Sequence, residues 1–210
     1  LHGNTVMLQD YIASGVLDEA ALRCRVIAFD RPGFGYREGP RTKVWTPSAQ
    51  AKLIQGALRQ MGVERAVVVG HSWGTLVAVA MALDHRELVR SLILLSGFYY
   101  PRFRFDVLIA SPPAIPLIGD VLRYTISPLI QGLSLPLILW QMFGPPPVPE
   151  RFKKLFPLSM ILRPCQFRAT VAEAALMIPS AMKLKSRYGE LSMPVSILAG
   201  DRDRVVTTDR

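Results

Sequence analysis

The chain has 210 residues, half of them hydrophobic, which supplies enough apolar surface for a substantial core and excludes a disordered polymer. Its formal net charge is +9, but the basic residues do not line one face: Arg23, Arg31, Arg37, Arg41, Arg59, Arg65, Arg86 and Arg90 fall singly between apolar segments. That scatter reads as a solvated surface and argues against nucleic-acid binding, leaving an anionic substrate or weak contact with an acidic membrane surface as the partners a basic chain would take.

In chain order, Leu1-His2-Gly3-Asn4 has the form of the end of a buried strand followed at once by a His-Gly turn. Arg25 to Asp30 is a second buried strand, closed by the tight loop Arg31-Pro32-Gly33-Phe34-Gly35. A helix begins at Thr46-Pro47, with threonine as cap and proline at the first position, and runs to about Met61 before Gly62 ends it. Arg65 to Val69 is a β-branched run of the kind that makes a buried parallel strand, and the apolar stretch Thr75 to Leu83 after it is helix-compatible. Ser91 to Gly97 gives another apolar strand. Strands alternating with helices predict an α/β fold with a mostly parallel sheet and helices on both faces.

From about Phe98 to Glu190 the alternation stops and prolines accumulate: Pro112, Pro113, Pro116, Pro128, Pro136 and the run Pro145-Pro146-Pro147. Short broken helices are expected there. The stretch from Val107 to Phe143 is apolar, but its prolines, Asp120 and Arg123 interrupt every window of the roughly 20 residues needed to span a bilayer. The expectation is an apolar helical cap, with an interfacial lid as the intermediate case. Met193 to Gly200 restores the strand pattern and runs into Asp201-Arg202-Asp203. The domain reading is a core over residues 1–98, a helical cap or lid over 99–190 and a return to the core over 191–210.

Cys24 and Cys165 lie far apart without C-x-x-C spacing, so neither a disulfide framework nor a metal site is indicated, and no cofactor is expected. No signal peptide is visible, and the expected compartment is the cytoplasm.

The chemistry concentrates in Gly70-His71-Ser72-Trp73-Gly74, which reads as a nucleophile elbow, a serine on a sharp turn between a strand and a helix. Such a turn forces the serine into a strained backbone conformation and requires glycine two residues to either side, where any side chain would meet neighbouring backbone.

These segments, in this order, resemble the α/β-hydrolase superfamily, in the serine-nucleophile branch with a helical cap inserted between the sixth and seventh sheet strands. His2-Gly3-Asn4 is similar to the family's oxyanion loop, Phe29-Asp30-Arg31-Pro32-Gly33-Phe34-Gly35 to its strand-four signature, and Gly200-Asp201-Arg202-Asp203 to the loop bearing the acid of a Ser-His-Asp triad. The resemblance implies Ser72 as nucleophile, Asp203 rather than Asp201 as acid, and the backbone N–H groups of Trp73 and Asn4 as oxyanion hole. A purely structural reading, in which both aspartates cap a following helix, stands beside it. Serine at the elbow also separates the chain from dehalogenase-like and epoxide-hydrolase-like relatives, which carry aspartate there.

A triad needs a histidine, and His2, His71 and His85 all occupy positions suited to packing rather than base catalysis. The family places that histidine after the acid, beyond the last strand, so the expectation is a chain truncated at both ends whose base lies outside it. Lacking the base, the 210-residue piece would be close to inert, since removing a triad histidine costs on the order of 10⁶ in turnover. The function expected of the parent protein is carboxylesterase-like or lipase-like cleavage of a small hydrophobic acyl substrate. Two alternatives are a noncatalytic protein of the same fold that binds a ligand or partner, and a membrane-anchored lipid-modifying enzyme.

Overall fold

A computed structural model describes residues 1–40, 42–101, 121, 124, 125, 127–201 and 203. Two short helices, α1 (Gln9–Ser14) and α2 (Val16–Ala21), follow the His-Gly turn and are separated by Gly15 at a φ of 81°. Helix α3 (Pro47–Gln60) starts where its sequence says: Thr46 is extended, its hydroxyl accepts from the Ala49 N–H at 3.2 Å, and Pro47 occupies the first turn. Gly62, at a φ of 71°, lies just past its end.

Strands β1 (Ala66–His71), β2 (Val89–Leu95) and β3 (Val195–Leu198) form a parallel sheet in that order, with Val67 opposite Ser91 and Leu92 opposite Val195. Helix α4 (Gly74–Asp84) is buried from Gly74 through Leu83 because it is covered on several sides: by the sheet, by α3, and by a long helix from the cap segment. Its apolar composition therefore reflects burial all round and not a membrane.

Arg25 to Asp30, expected to be a strand, carries no strand pairing among the described residues. Beside β1, among the described residues, lies Leu1, which accepts from the His71 N–H at 3.0 Å and donates from its nitrogen to the Val69 carbonyl at 2.6 Å. An apolar run becomes a ladder only where a neighbouring backbone meets it, and no such neighbour reaches Arg25–Asp30 among the described residues.

The segment expected to form a cap differs from that expectation in helix length. It contains α5 (Ser127–Phe143), α6 (Glu150–Leu155), α7 (Leu158–Ile161), α8 (Pro164–Lys185) and a 3₁₀ turn at Tyr188–Glu190. The prolines at 112, 113 and 116 lie outside the described residues. Pro136 and Pro179 sit inside helices of 17 and 22 residues and do not break them. Each removes one backbone donor, but packing holds the helix on both sides of the defect. Leu135 and Leu139 flank Pro136 against an apolar cluster, and α8 is anchored by Glu173 before Pro179 and by Ala181 and Leu184 after it.

Two cores result. The larger joins α3, α4, β1 and β2 to Ala181 and Leu184 of α8. The smaller joins Val6, Met7 and Ala13 to Phe152, Phe156, Met160 and Ile161, with the rings of Phe152 and Phe156 stacked at 4.5 Å. No helix among the described residues is long and apolar enough to cross a membrane.

Candidate active site

Ser72 sits at the junction of β1 and α4 with a φ of 50°, in the left-handed region that costs a side-chain-bearing residue about 1–3 kcal/mol. The turn is held by main-chain bonds: Ser72 N–H donates to the Leu95 carbonyl at 2.9 Å, and Thr75 returns both its N–H and its hydroxyl to the Ser72 carbonyl at 3.0 and 2.6 Å. The flanking glycines are sterically required. A Cβ on Gly70 would lie 2.7 Å from the Gly74 carbonyl oxygen, and one on Gly74 would lie 2.6 Å from the His2 oxygen. Trp73 immediately precedes α4, so its N–H belongs to the set at a helix start that no helical carbonyl can accept, where the helix dipole favours negative charge.

The His2–Asn4 loop lies against this turn: a Cβ on Gly3 would stand 3.1 Å from Ser72 Cβ. The loop is fixed by polar contacts. His2 is fully buried; its Nε2 accepts from the Arg31 N–H at 3.0 Å and its Nδ1 donates to the Gly3 carbonyl at 2.8 Å, which assigns the neutral Nδ1-protonated tautomer. Burial, with the Arg31 charge adding to it, holds the His2 imidazole well below its ordinary proton affinity. Asn4 donates from Nδ2 to the Thr170 carbonyl of α8 at 3.1 Å and accepts the Thr5 N–H at 2.8 Å.

Asp203 lies in a turn, its N–H donating to the Gly200 carbonyl at 3.3 Å. The exposed Asp201 precedes it. Burial lowers the proton affinity of His71, while the carboxylates of Asp10 and Asp203 raise it, so both acids stand within electrostatic reach of the elbow. His85 terminates α4, its N–H donating to the Met81 carbonyl at 2.8 Å, away from Ser72.

The sequence reading missed what joins these parts. Arg31, read as one of the scattered surface arginines, is fully buried and pairs with Glu173 of α8. Arg41 lies outside the described residues; Arg23, Arg37, Arg59, Arg65, Arg86 and Arg90 are exposed as expected. Gln50 of α3 completes the pair, accepting from Arg31 Nη1 at 3.2 Å and donating to Glu173 Oε1 at 3.1 Å. Burial pushes the Glu173 carboxyl up, opposed by Arg31 and Gln50. Phe34 and Trp73 place their rings 4.8 and 5.1 Å from the guanidinium carbon. The available signal was Glu173 itself, a lone carboxylate within the apolar run Ala172–Leu176, where a charge needs a buried partner. Gln166 of α8 adds a second link between loops, accepting from Gly35 N–H at 3.1 Å and donating to the Thr5 carbonyl at 2.9 Å. A cavity of about 320 Å³ between Glu38–Pro40 and the start of α8 contains no elbow residue. Cys24 and Cys165 are free thiols.

Residues 1–125 match the model of the family described as alpha/beta hydrolase fold, and the chain belongs to that family. It is 40% identical over 75 residues to uncharacterized hydrolase YugF of Bacillus subtilis, a match covering 36% of this chain and 28% of that protein. To the 2-hydroxymuconate semialdehyde hydrolase of Pseudomonas sp. (strain CF600) it is 38% identical over 88 residues, covering 41% and 31%. The matched span is thus under a third of the length of these curated relatives. Among solved structures, an alpha/beta hydrolase fold protein from Burkholderia ambifaria superposes with a TM-score of 0.77 at 19% identity, over 97% of this chain and 72% of that one. A thermophilic esterase from Thermogutta terrifontis gives 0.71 at 24% identity, over 98% and 71%. These two superpositions establish shared fold.

Proposed function

We propose that the protein carrying this chain is a serine hydrolase that cleaves an ester or related acyl bond of a small hydrophobic substrate. The observation that carries the reading is the backbone of Ser72, held at a φ of 50° between β1 and α4 with Gly3 packed against its Cβ. In the proposed reaction Ser72 Oγ attacks the acyl carbonyl, and the N–H groups of Trp73 and Asn4 take the charge that develops on oxygen. Asp203 orients the histidine that such a triad requires, which accepts the Ser72 proton and returns it to the leaving group, and water then releases the acyl group from Ser72. Similarity to epoxide hydrolase 3 of Xenopus tropicalis, at 33% identity over 93 residues, supports the fold rather than that reaction, because a serine stands at the elbow.

The test is labelling of the full-length protein with a fluorophosphonate probe, comparing wild type with Ser72→Ala. Labelling of wild type alone is expected; equal labelling of both removes Ser72 as nucleophile, and no labelling of either favours a ligand-binding protein of this fold.

The cap supports contact with an anionic lipid surface during this reaction. Leu129, Leu133, Leu137 and Trp140 form an exposed row at helical spacing on α5, on a chain of net charge +9. Partition of the full-length protein onto vesicles containing anionic lipid, lost in Leu133→Asp/Leu137→Asp, is the expected result.

A further inference from the structure

Arg31 is buried to the tip of its guanidinium, yet the proposed reaction uses none of its charge. Burying a guanidinium is costly unless every donor finds an acceptor, and here each does. Nη1 and Nη2 both meet the Glu173 carboxylate, the latter at 3.0 Å. Of the three remaining donors, one on Nη1 reaches Gln50 Oε1 of α3 at 3.2 Å, and the other two point into the loop beside the nucleophile: Nε donates to the His2 carbonyl at 2.9 Å and Nη2 to the Gly3 carbonyl at 2.8 Å.

The second of these contacts fixes more than a carbonyl. In a trans peptide the C=O of one residue and the N–H of the next lie in one plane and point in opposite directions. With the Gly3 oxygen held by two donors, Arg31 Nη2 and His2 Nδ1, the Asn4 N–H must face away from Arg31. A flipped Gly3–Asn4 peptide would sacrifice both bonds and turn the oxygen to the side that the amide now occupies. Glycine at position 3 is the residue at which such a flip meets the least steric resistance, so the orientation depends on its partners.

We propose that Arg31 is a positioning residue: clamped by Glu173 of α8, it holds the His2 and Gly3 carbonyls so that the Asn4 N–H is presented to the oxyanion formed at Ser72. Turnover then depends on the seating of α8. The proposal rests on the serine-hydrolase reading, and two readouts keep their failures apart.

The first readout is kinetic, on the full-length protein with a short-chain p-nitrophenyl ester. Arg31→Lys keeps a cation for Glu173 but loses the planar fork that reaches the two carbonyls. The expected result is a folded protein whose kcat falls about 10²-fold, the cost of one misdirected oxyanion donor. KM should stay within about twofold, because ground-state binding is untouched. A folded Arg31→Lys protein with wild-type kcat overturns the proposal. Should Arg31→Lys fail to fold, Arg31→Met/Glu173→Met removes both charges and keeps apolar volume, and the same criterion applies. A residue that served stability alone would lower the melting temperature and leave kcat per folded molecule unchanged.

The second readout is hydrogen exchange. Faster exchange of the amides over residues 2–5 in Arg31→Lys, with β2 unchanged, is expected whether or not the protein turns over the ester. Unchanged exchange in that loop overturns the positioning role. Absence of Ser72-dependent turnover in wild type, with the exchange effect present, overturns only the reaction assigned to the site.

Discussion

The indole Nε1 of Trp73 donates to the main-chain oxygen of Glu173 at 2.9 Å. The residue that follows Ser72 is thereby bonded to the same residue of α8 whose carboxylate neutralises Arg31. The turn at Ser72, the His2–Asn4 loop and α8 thus share contacts with one pair of residues, Arg31 and Glu173.

Trp73→Phe removes that donor and leaves the Glu173 carbonyl buried without it. The carbonyl lies inside α8 and keeps its helical partner, so the expected loss is about 0.5–1.5 kcal/mol of stability, read as a lower urea midpoint at unchanged slope. An unshifted midpoint would show that the bond contributes nothing.

Glu173→Ala strands Arg31 in the core with Gln50 as its remaining side-chain acceptor. Breaking a buried pair from one side costs about 3–5 kcal/mol, a large share of the stability of a domain this size. Surface pairs offer a contrast: Glu87→Ala, which opens the exposed pair with Arg59, is expected to cost under about 1 kcal/mol in the same measurement.

Two glycines should respond oppositely to alanine. Gly74→Ala drives a Cβ to within 2.6 Å of the His2 oxygen, so the loop or the elbow must move, and loss of soluble protein or of probe labelling is expected. Gly56→Ala, in the middle of α3 with nothing within 4 Å of its Cβ, is expected to gain about 0.5–1 kcal/mol of stability.

The lowered proton affinity of His2 links stability to pH. Its folded pKa lies below the unfolded value near 6.5, so its contribution is complete above about pH 6.5 and is lost as pH falls toward the folded value. His2→Gln keeps an acceptor for the Arg31 N–H but does not titrate. The stability of wild type relative to this variant should therefore decline below pH 6.5 by about 1.4 kcal/mol per unit at most. His71, Glu173, Asp10 and Arg31 are common to both proteins and cancel in the difference. A constant difference between pH 7.5 and 5 would contradict a neutral, buried His2.

Residues 1–210 expressed by themselves are expected to aggregate. Val67 and Val69 of β1, with Ile197 and Leu198 of β3, are large apolar side chains left exposed on the two outer strands of the sheet. Light scattering checks this; a monomer with one cooperative unfolding transition would refute it.

What could be read in the sequence was what local chemistry specifies. Thr46-Pro47 fixes where α3 begins, Gly62 marks its end, and the β-branched run before Gly70 identifies β1. Other features depended on neighbours that no local pattern reveals. Arg25 to Asp30 has the composition of a strand and lacks a ladder partner; Pro136 and Pro179 have the composition of helix breaks and are overruled by packing. Arg31 is the sharpest case, because an isolated arginine reads as surface until its acid, 142 residues away in the chain, is found opposite it.

The smaller core has a bearing on how such proteins diversify. Val6, Met7 and Ala13 precede β1, β2 and β3, yet they cluster with Phe152, Phe156, Met160 and Ile161. A chimaera built by exchanging only the segment after β2 would lose the surface that Val6, Met7 and Ala13 provide for it, leaving Phe152 and Phe156 without their counterparts. Grafts from a relative must carry both pieces together to keep this cluster packed.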